Sequence, residues 1–232
     1  MLNINKKFDQ IRANKGGDVI VLDGGLATQL ESVHNANIKH NRNKNVGNLW
    51  SGNVLLDSPA LVQRAHQVYY IVHNFFCLTN QPGYCLKCSI FPFLIHCAQD
   101  FVEAGANIVI TNTYQCNLEE FGNDQNAFKE FINDAVEVAK LSGAEVVAGS
   151  IGPYGAKYKD GTSYTGIYND IPIGMDEKEF LKKWHLPRIQ CLIKNGVDIL
   201  AFETCPKLIE GLAFSELIQE LQFPGFICFQ CR

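Results

Sequence analysis

One repeat narrows the fold of this chain more than any other feature. Short apolar runs, each stopping at polar or glycine residues, alternate with helical patterns. The runs are Asp18 to Asp23, Ala106 to Thr111, Glu145 to Ser150, Val197 to Phe202 and Phe226 to Cys231. They are nearly continuous in apolar residues, as parallel strands buried on both faces require. Between them, Asp124 to Ser142 places Phe128, Phe131, Ile132, Ala135, Val136 and Ala139 at helical spacing. Met175 to Asn195 opens on Asp176 with Glu179 three residues on and closes on Asn195-Gly196, signals for a helix start and stop. Pro187 is expected to kink that helix. Pro206 to Leu221 reads as a third helix, with Pro206 in its first turn and Cys205 in the capping place.

Alternating strands and helices of this kind build either a doubly wound sheet or a barrel. The first four runs end in Asp23-Gly24-Gly25, Asn112-Thr113, Gly152-Pro153 and Glu203-Thr204. A barrel gathers all its strand ends on one functional face, whereas an open sheet needs polar ends only at its switch point. The expectation is therefore an α/β chain of the (β/α)8 TIM-barrel type, truncated after about five strands, with residues 1–232 as one incomplete domain.

The partners are bounded by charge. A net charge of -4, with Lys and Arg scattered, gives no electrostatic reason to expect nucleic acid or an anionic membrane. The opening MLNINKKFDQ has no apolar core, so it does not read as a secretory signal and a cytoplasmic location is expected. Nine cysteines in such a chain read as reduced thiols. Two pairs, Cys85 with Cys88 and Cys228 with Cys231, have zinc-ribbon spacing. The second pair lies on a predicted strand, where residues three apart face opposite ways and chelate poorly.

Two stretches break the repeat. Asn35 to Asn48 is polar and asparagine-rich, and His34 and His40 beside it have no carboxylate or cysteine to complete a metal site, so it reads as a solvated loop. Residues 68–99 place two apolar stretches around Asn80-Gln81-Pro82-Gly83, each shorter than the ~20 residues of a membrane span. Without them, Ser58 to Gln67 would join Asp100 to Gly105 as one amphipathic helix. Residues 68–99 are expected to be a non-native insertion, a translated intron, in the helix after the first strand.

Five strings carry a resemblance. They are VLDGGLATQLE (Val21 to Glu31), LWS (Leu49 to Ser51), ITNTYQ (Ile110 to Gln115), AGSIGPYGAKYKDGTSYTGIY (Ala148 to Tyr168) and LAFETCP (Leu200 to Pro206). Together they resemble the homocysteine S-methyltransferases, in the branch that uses S-methylmethionine or S-adenosylmethionine. The resemblance implies transfer of a methyl group from a sulfonium donor to the homocysteine thiol, giving methionine. It also implies zinc on three cysteines, with the substrate sulfur in the open fourth position, where the cation favours thiolate.

By that resemblance, Asp23 and above all Glu203 face the substrate ammonium, and Gly24 and Gly25 let the backbone approach it. Asn112 and Thr113 hydrogen-bond its amino or carboxylate group, or else cap a strand end. Gly152 and Tyr154 lie near the donor, with Tyr154 either facing the sulfonium or packed as an ordinary aromatic. The family's zinc cysteines follow its sixth and eighth strands, in GVNC-like and GGCC-like motifs. None of the nine cysteines here matches them, so the metal ligands are expected to be absent and the 232 residues inactive as they stand. The alternative is a non-catalytic product that binds an amino acid or a partner protein. A lysine-dependent lyase on the same barrel is disfavoured, because no lysine ends a strand.

Overall fold

The computed structural model describes residues 4–15, 20–23, 95, 98–99 and 101–230. Gly24, Gly25, the Asn35 to Asn48 stretch, both C-x-x-C pairs as pairs, and most of residues 68–99 lie outside the described residues. The elements are α1 (Ile4–Lys15), β1 (Ile108–Ile110), α2 (Gln125–Leu141), β2 (Val146–Ile151), a short α3 (Thr162–Thr165), α4 (Glu177–Lys194), β3 (Ile199–Cys205), α5 (Leu208–Leu221) and β4 (Gly225–Phe229). Single 3-10 turns follow β1 and β2, at Leu118–Phe121 and Tyr154–Tyr158. Among the described residues, no helix is long and apolar enough to cross a membrane.

The four strands form one sheet in the order β1-β2-β3-β4, all parallel. Leu22 adds a parallel bridge to Ile108, so the first predicted run lies beside β1. Consecutive parallel neighbours with no reversal of order are what a barrel wall has and a doubly wound sheet lacks. Side chains alternate across the sheet. Val109, Val147, Leu200 and Phe202 face outward into the large core shared with α2, α4 and α5. Ile108, Val146, Ala148, Ile199 and Ala201 face the other way, where Ile11 of α1, 1% exposed, covers them with Phe8 beside it. Lys7 reinforces that cover by pairing with Asp198 at 2.6 Å.

The helix boundaries follow their caps. Asp124 accepts the Asn126 and Ala127 N–H groups at the start of α2, and Asp176 accepts Glu179 N–H at the start of α4. Helix α4 runs on through Pro187. The expected start of α5 is corrected: it begins at Leu208 with Lys207 as N-cap, and Pro206 lies ahead of the helix. The reason is that β3 extends through Cys205, so the chain cannot turn helical at Pro206. Gly105, at φ +108, ends the helical residues before β1, with Ala106 N–H on the Phe101 carbonyl at 2.9 Å. Ile95, Ala98 and Gln99 are also helical, and Ala98 is buried in the large core.

Candidate functional site

Polar residues gather at the C-terminal ends of the strands. Asp23 N–H donates to the Ile108 carbonyl at 3.0 Å, and Asp23 Oδ2 accepts the Ile110 N–H at 2.8 Å, which locks this carboxylate against β1. Ser150 and Glu203 close β2 and β3, and the Ser150 hydroxyl donates to Glu203 Oε1 at 2.5 Å. Behind Glu203, Thr204 holds φ +55, a conformation costly for a β-branched residue. There the pairing with β4 slips from Phe202↔Ile227 to Cys205↔Phe229, so β3 carries one extra residue. A bulge of this kind re-aims a side chain at a strand end.

The two carboxylates share an environment that disfavours their charge. Burial lifts the Asp23 pKa to about 7; the Ile110 N–H opposes the shift and the charge of Glu203 adds to it. Burial also raises Glu203, against the hydrogen bond from Ser150. Such a pair is stabilised by an arriving cation, which supplies the counter-charge burial has removed.

The loop after β1 divides between scaffolding and open polar groups. Thr113 is fully buried, with its hydroxyl donating to the Ser150 carbonyl at 2.8 Å and contacting Thr111 Oγ1 at 2.8 Å. Thr113 therefore ties β1 to β2. Asn112 is 5% exposed, yet neither its Nδ2 nor its Oδ1 has a hydrogen-bond partner among the described residues. Asp23 Oδ1 and Gln115 Oε1 are buried in the same condition. Buried polar atoms in folded proteins are overwhelmingly paired, so these open atoms are candidates to hold polar groups of a ligand.

The loop after β2 is shaped by Gly152. Its N–H donates to the Tyr114 carbonyl at 3.1 Å, and its own carbonyl accepts from Arg188 at 2.9 Å. Tyr154 lies away from the open polar atoms. It is 1% exposed and packed edge-on against Tyr168, Phe180 and Trp184, and the Lys157 ammonium sits 4.4 Å from its ring centre. Of its two readings, the geometry is that of a packed aromatic whose cation is internal. The structure thus brings Asp23, Asn112, Thr113, Gly152 and Glu203 to one end of the sheet, and sets Tyr154 behind it.

Three participants were not singled out in the sequence. Ser150, Gln115 and Tyr114 all lie inside the conspicuous strings, but strings do not reveal orientation. Burial pushes the Tyr114 pKa up to about 12, with Thr204 and Ser163 near its hydroxyl opposing the shift. Tyr114 therefore links the β1 loop to the end of β3.

No group of three or more His, Cys, Asp or Glu among the described residues could hold a metal ion. Cys116, Cys191 and Cys205 are buried free thiols, and burial raises the pKa of each. A buried thiol held protonated is a poor ligand.

The family model described as homocysteine S-methyltransferase matches residues 20–232. Homocysteine S-methyltransferase 1 of Arabidopsis thaliana is 33% identical over 236 residues, covering 93% of this chain and 59% of that protein. Selenocysteine Se-methyltransferase of Brassica oleracea var. italica is 30% identical, covering 93% of this chain and 57% of that protein. The metallated form of the homocysteine methyltransferase MmuM from Escherichia coli superposes with a TM-score of 0.64 at 29% identity, covering 96% of this chain and 67% of that chain. The chain spans a little under three fifths of the length of these curated relatives.

Proposed function

The chain belongs to the homocysteine S-methyltransferase family, and on that premise we propose that its strand ends form the amino-acid half of a methyl-transfer site that binds homocysteine. Asp23 and Glu203 receive the ammonium, with Gln115 Oε1 as a further acceptor for it, and Asn112 Nδ2 donates to the carboxylate. The observation that carries this reading is the set of buried atoms of Asp23, Asn112 and Gln115 that have no partner among the described residues, together with the raised pKa values of Asp23 and Glu203. An α-amino acid head group carries the complementary charges and donors. Leaving such atoms unpaired costs about 1–3 kcal/mol each, so binding recovers energy at each contact.

In the proposed reaction the homocysteine thiolate attacks the methyl carbon of a sulfonium donor, S-methylmethionine or S-adenosylmethionine. A sulfur–carbon bond forms and the donor's bond to that carbon breaks. Its electron pair stays on the donor sulfur, which becomes a neutral thioether, and the thiol proton is released. The donor carries its own leaving group, so no general acid is needed and alignment governs the rate. Zinc belongs to the proposal only through the family. None of the chain's nine cysteines lies in a GVNC-like or GGCC-like motif, so these 232 residues are proposed to bind homocysteine without transferring methyl. A reducing, cytoplasmic setting fits the free thiols Cys116, Cys191, Cys205 and Cys228.

Isothermal titration with homocysteine tests the reading, with a methyl-transfer assay of the same chain beside it. Glu203→Gln is expected to weaken binding by about 30-fold or more, the cost of removing one partner of a buried charge pair. The affinity of the unaltered chain should also depend on pH. The Asp23 pKa lies near 7, so an ammonium must displace its proton at lower pH, and affinity should fall by about tenfold per unit below pH 7 and level off above it. A pH-independent affinity, or binding unaltered in Glu203→Gln, would remove the carboxylate pair from the site. Methyl transfer by the 232 residues alone would overturn the proposed division of labour.

A further inference from the structure

Beneath the strand ends a line of buried polar side chains connects α4 and α5 to the loops of the site. Arg188 is 2% exposed, and His185 and Glu210 are fully buried. The Arg188 guanidinium donates to three main-chain carbonyls: Tyr114 at 3.1 Å and Cys116 at 2.8 Å through Nη1, and Gly152 at 2.9 Å through Nη2. Tyr114 and Cys116 flank Gln115, and Gly152 opens the loop after β2. One planar cation therefore sets both loops.

The other end of the line fixes a proton. Arg188 Nη2 lies 2.9 Å from His185 Nδ1. A guanidinium only donates, so Nδ1 presents its lone pair and the imidazole proton sits on Nε2, 2.8 Å from Glu210 Oε1. Glu210 also accepts the Tyr154 N–H at 2.6 Å and the Tyr168 hydroxyl. Burial holds His185 neutral, pushing its pKa down to about 4 against the pull of Glu210. A second proton on the ring would point at the guanidinium. The charges of Arg188 and Glu210 offset each other through a neutral ring, and each end holds main chain from the site.

We propose that Arg188, His185 and Glu210 form a positioning relay, in which neutral His185 joins the two charges and Arg188 sets the main chain that presents Asn112, Gln115 and Gly152 to the amino-acid substrate. None of the three touches the substrate. The relay rests on the homocysteine-binding reading for its consequence and on the hydrogen bonds of Arg188, His185 and Glu210 for its existence.

The test uses the full chain with three substitutions and two readouts. Arg188→Lys keeps the charge but cannot reach three carbonyls in a plane. His185→Leu removes both polar contacts. His185→Gln restores an acceptor toward Arg188 and a donor toward Glu210. Amide hydrogen exchange without ligand is followed in peptides covering 113–117 and 152–155, with α2 as the internal reference, and homocysteine affinity is measured by titration. Arg188→Lys and His185→Leu are expected to speed exchange in those two peptides, leave α2 protected, and weaken homocysteine by about tenfold or more, the equivalent of one charge-assisted hydrogen bond. His185→Gln should recover both readouts most of the way.

Unchanged exchange in the two loops of Arg188→Lys overturns the relay, as does a His185→Gln protein no better than His185→Leu. If Arg188→Lys does not fold, the comparison of the two His185 variants decides. If the unaltered chain binds no homocysteine, the functional reading fails, while the exchange measurements still decide the relay.

Discussion

Asp23→Asn is expected to make the protein more stable at pH 8 and to abolish homocysteine binding. An aspartate in an unfolded chain ionises near pH 3.9, whereas burial moves Asp23 to about 7 in the folded state. The folded protein therefore favours the neutral acid. Full stability from this group is present below about pH 4, is lost as the pH rises toward 7, and the deficit is constant above that. Three pKa units correspond to about 4 kcal/mol. Asparagine is neutral throughout, and its carbonyl oxygen can still accept the Ile110 N–H that Asp23 Oδ2 holds at 2.8 Å. The variant should melt higher by roughly 8–16 °C at pH 8, from the usual scaling for a chain of this size. Near pH 4 the two proteins should melt together. Thermal melts of both across that range decide the matter: a difference that does not change with pH removes Asp23 from the buried, charge-disfavouring environment. The same exchange deprives the ammonium of a carboxylate, so stability gained and binding lost would together mark a residue kept for function.

Gly152→Ala carries the largest expected loss of stability. A β-carbon there would lie 2.5 Å from the Tyr114 carbonyl oxygen and 3.0 Å from two carbons of its ring. The carbonyl is main chain, held from the other side by Arg188 at 3.1 Å, so it cannot yield as a flexible side chain would. Forcing the atom in should cost about 2–3 kcal/mol and displace the loop that carries Gln115. Gly149, three residues earlier and within β2, is the control. Its β-carbon would meet only Leu192 side-chain atoms, at 3.2 Å and beyond, and a leucine can shift. Urea denaturation should therefore place Gly149→Ala well above Gly152→Ala in stability, and homocysteine titration should find only the second defective. Equal stabilities would mean that the β2 loop is not held as tightly as the Arg188 contacts imply.

The strands were legible because burial on both faces leaves a strong mark. Val146–Ile151 is buried at every position, and a continuous apolar run is how that reads in sequence. The helix starts at Asp124 and Asp176 were legible for a local reason, since a cap is one side chain meeting the main chain two or three residues on. The start of α5 was misread because it depends on how far β3 continues, and that is set by pairing with β4.

The site divides in the same way. Asp23, Asn112 and Glu203 could be picked out because each is a polar residue interrupting an apolar run, and the motif strings carried the family. Thr113 and Tyr154 bear the same sequence signal as their neighbours, but their polar atoms are bound to Ser150 and Lys157. Arg188, His185 and Glu210 carry no signal at all, lying in helices among many polar residues. Residue types and their spacing were enough to place the strands, the caps at Asp124 and Asp176 and the polar residues that end the strands, and long matching strings carried the family, because these depend on neighbours along the chain or on such strings. Only the packed structure could decide which polar atoms remain open, which are already paired, and which buried charges hold the loops, because each depends on a partner dozens of residues away.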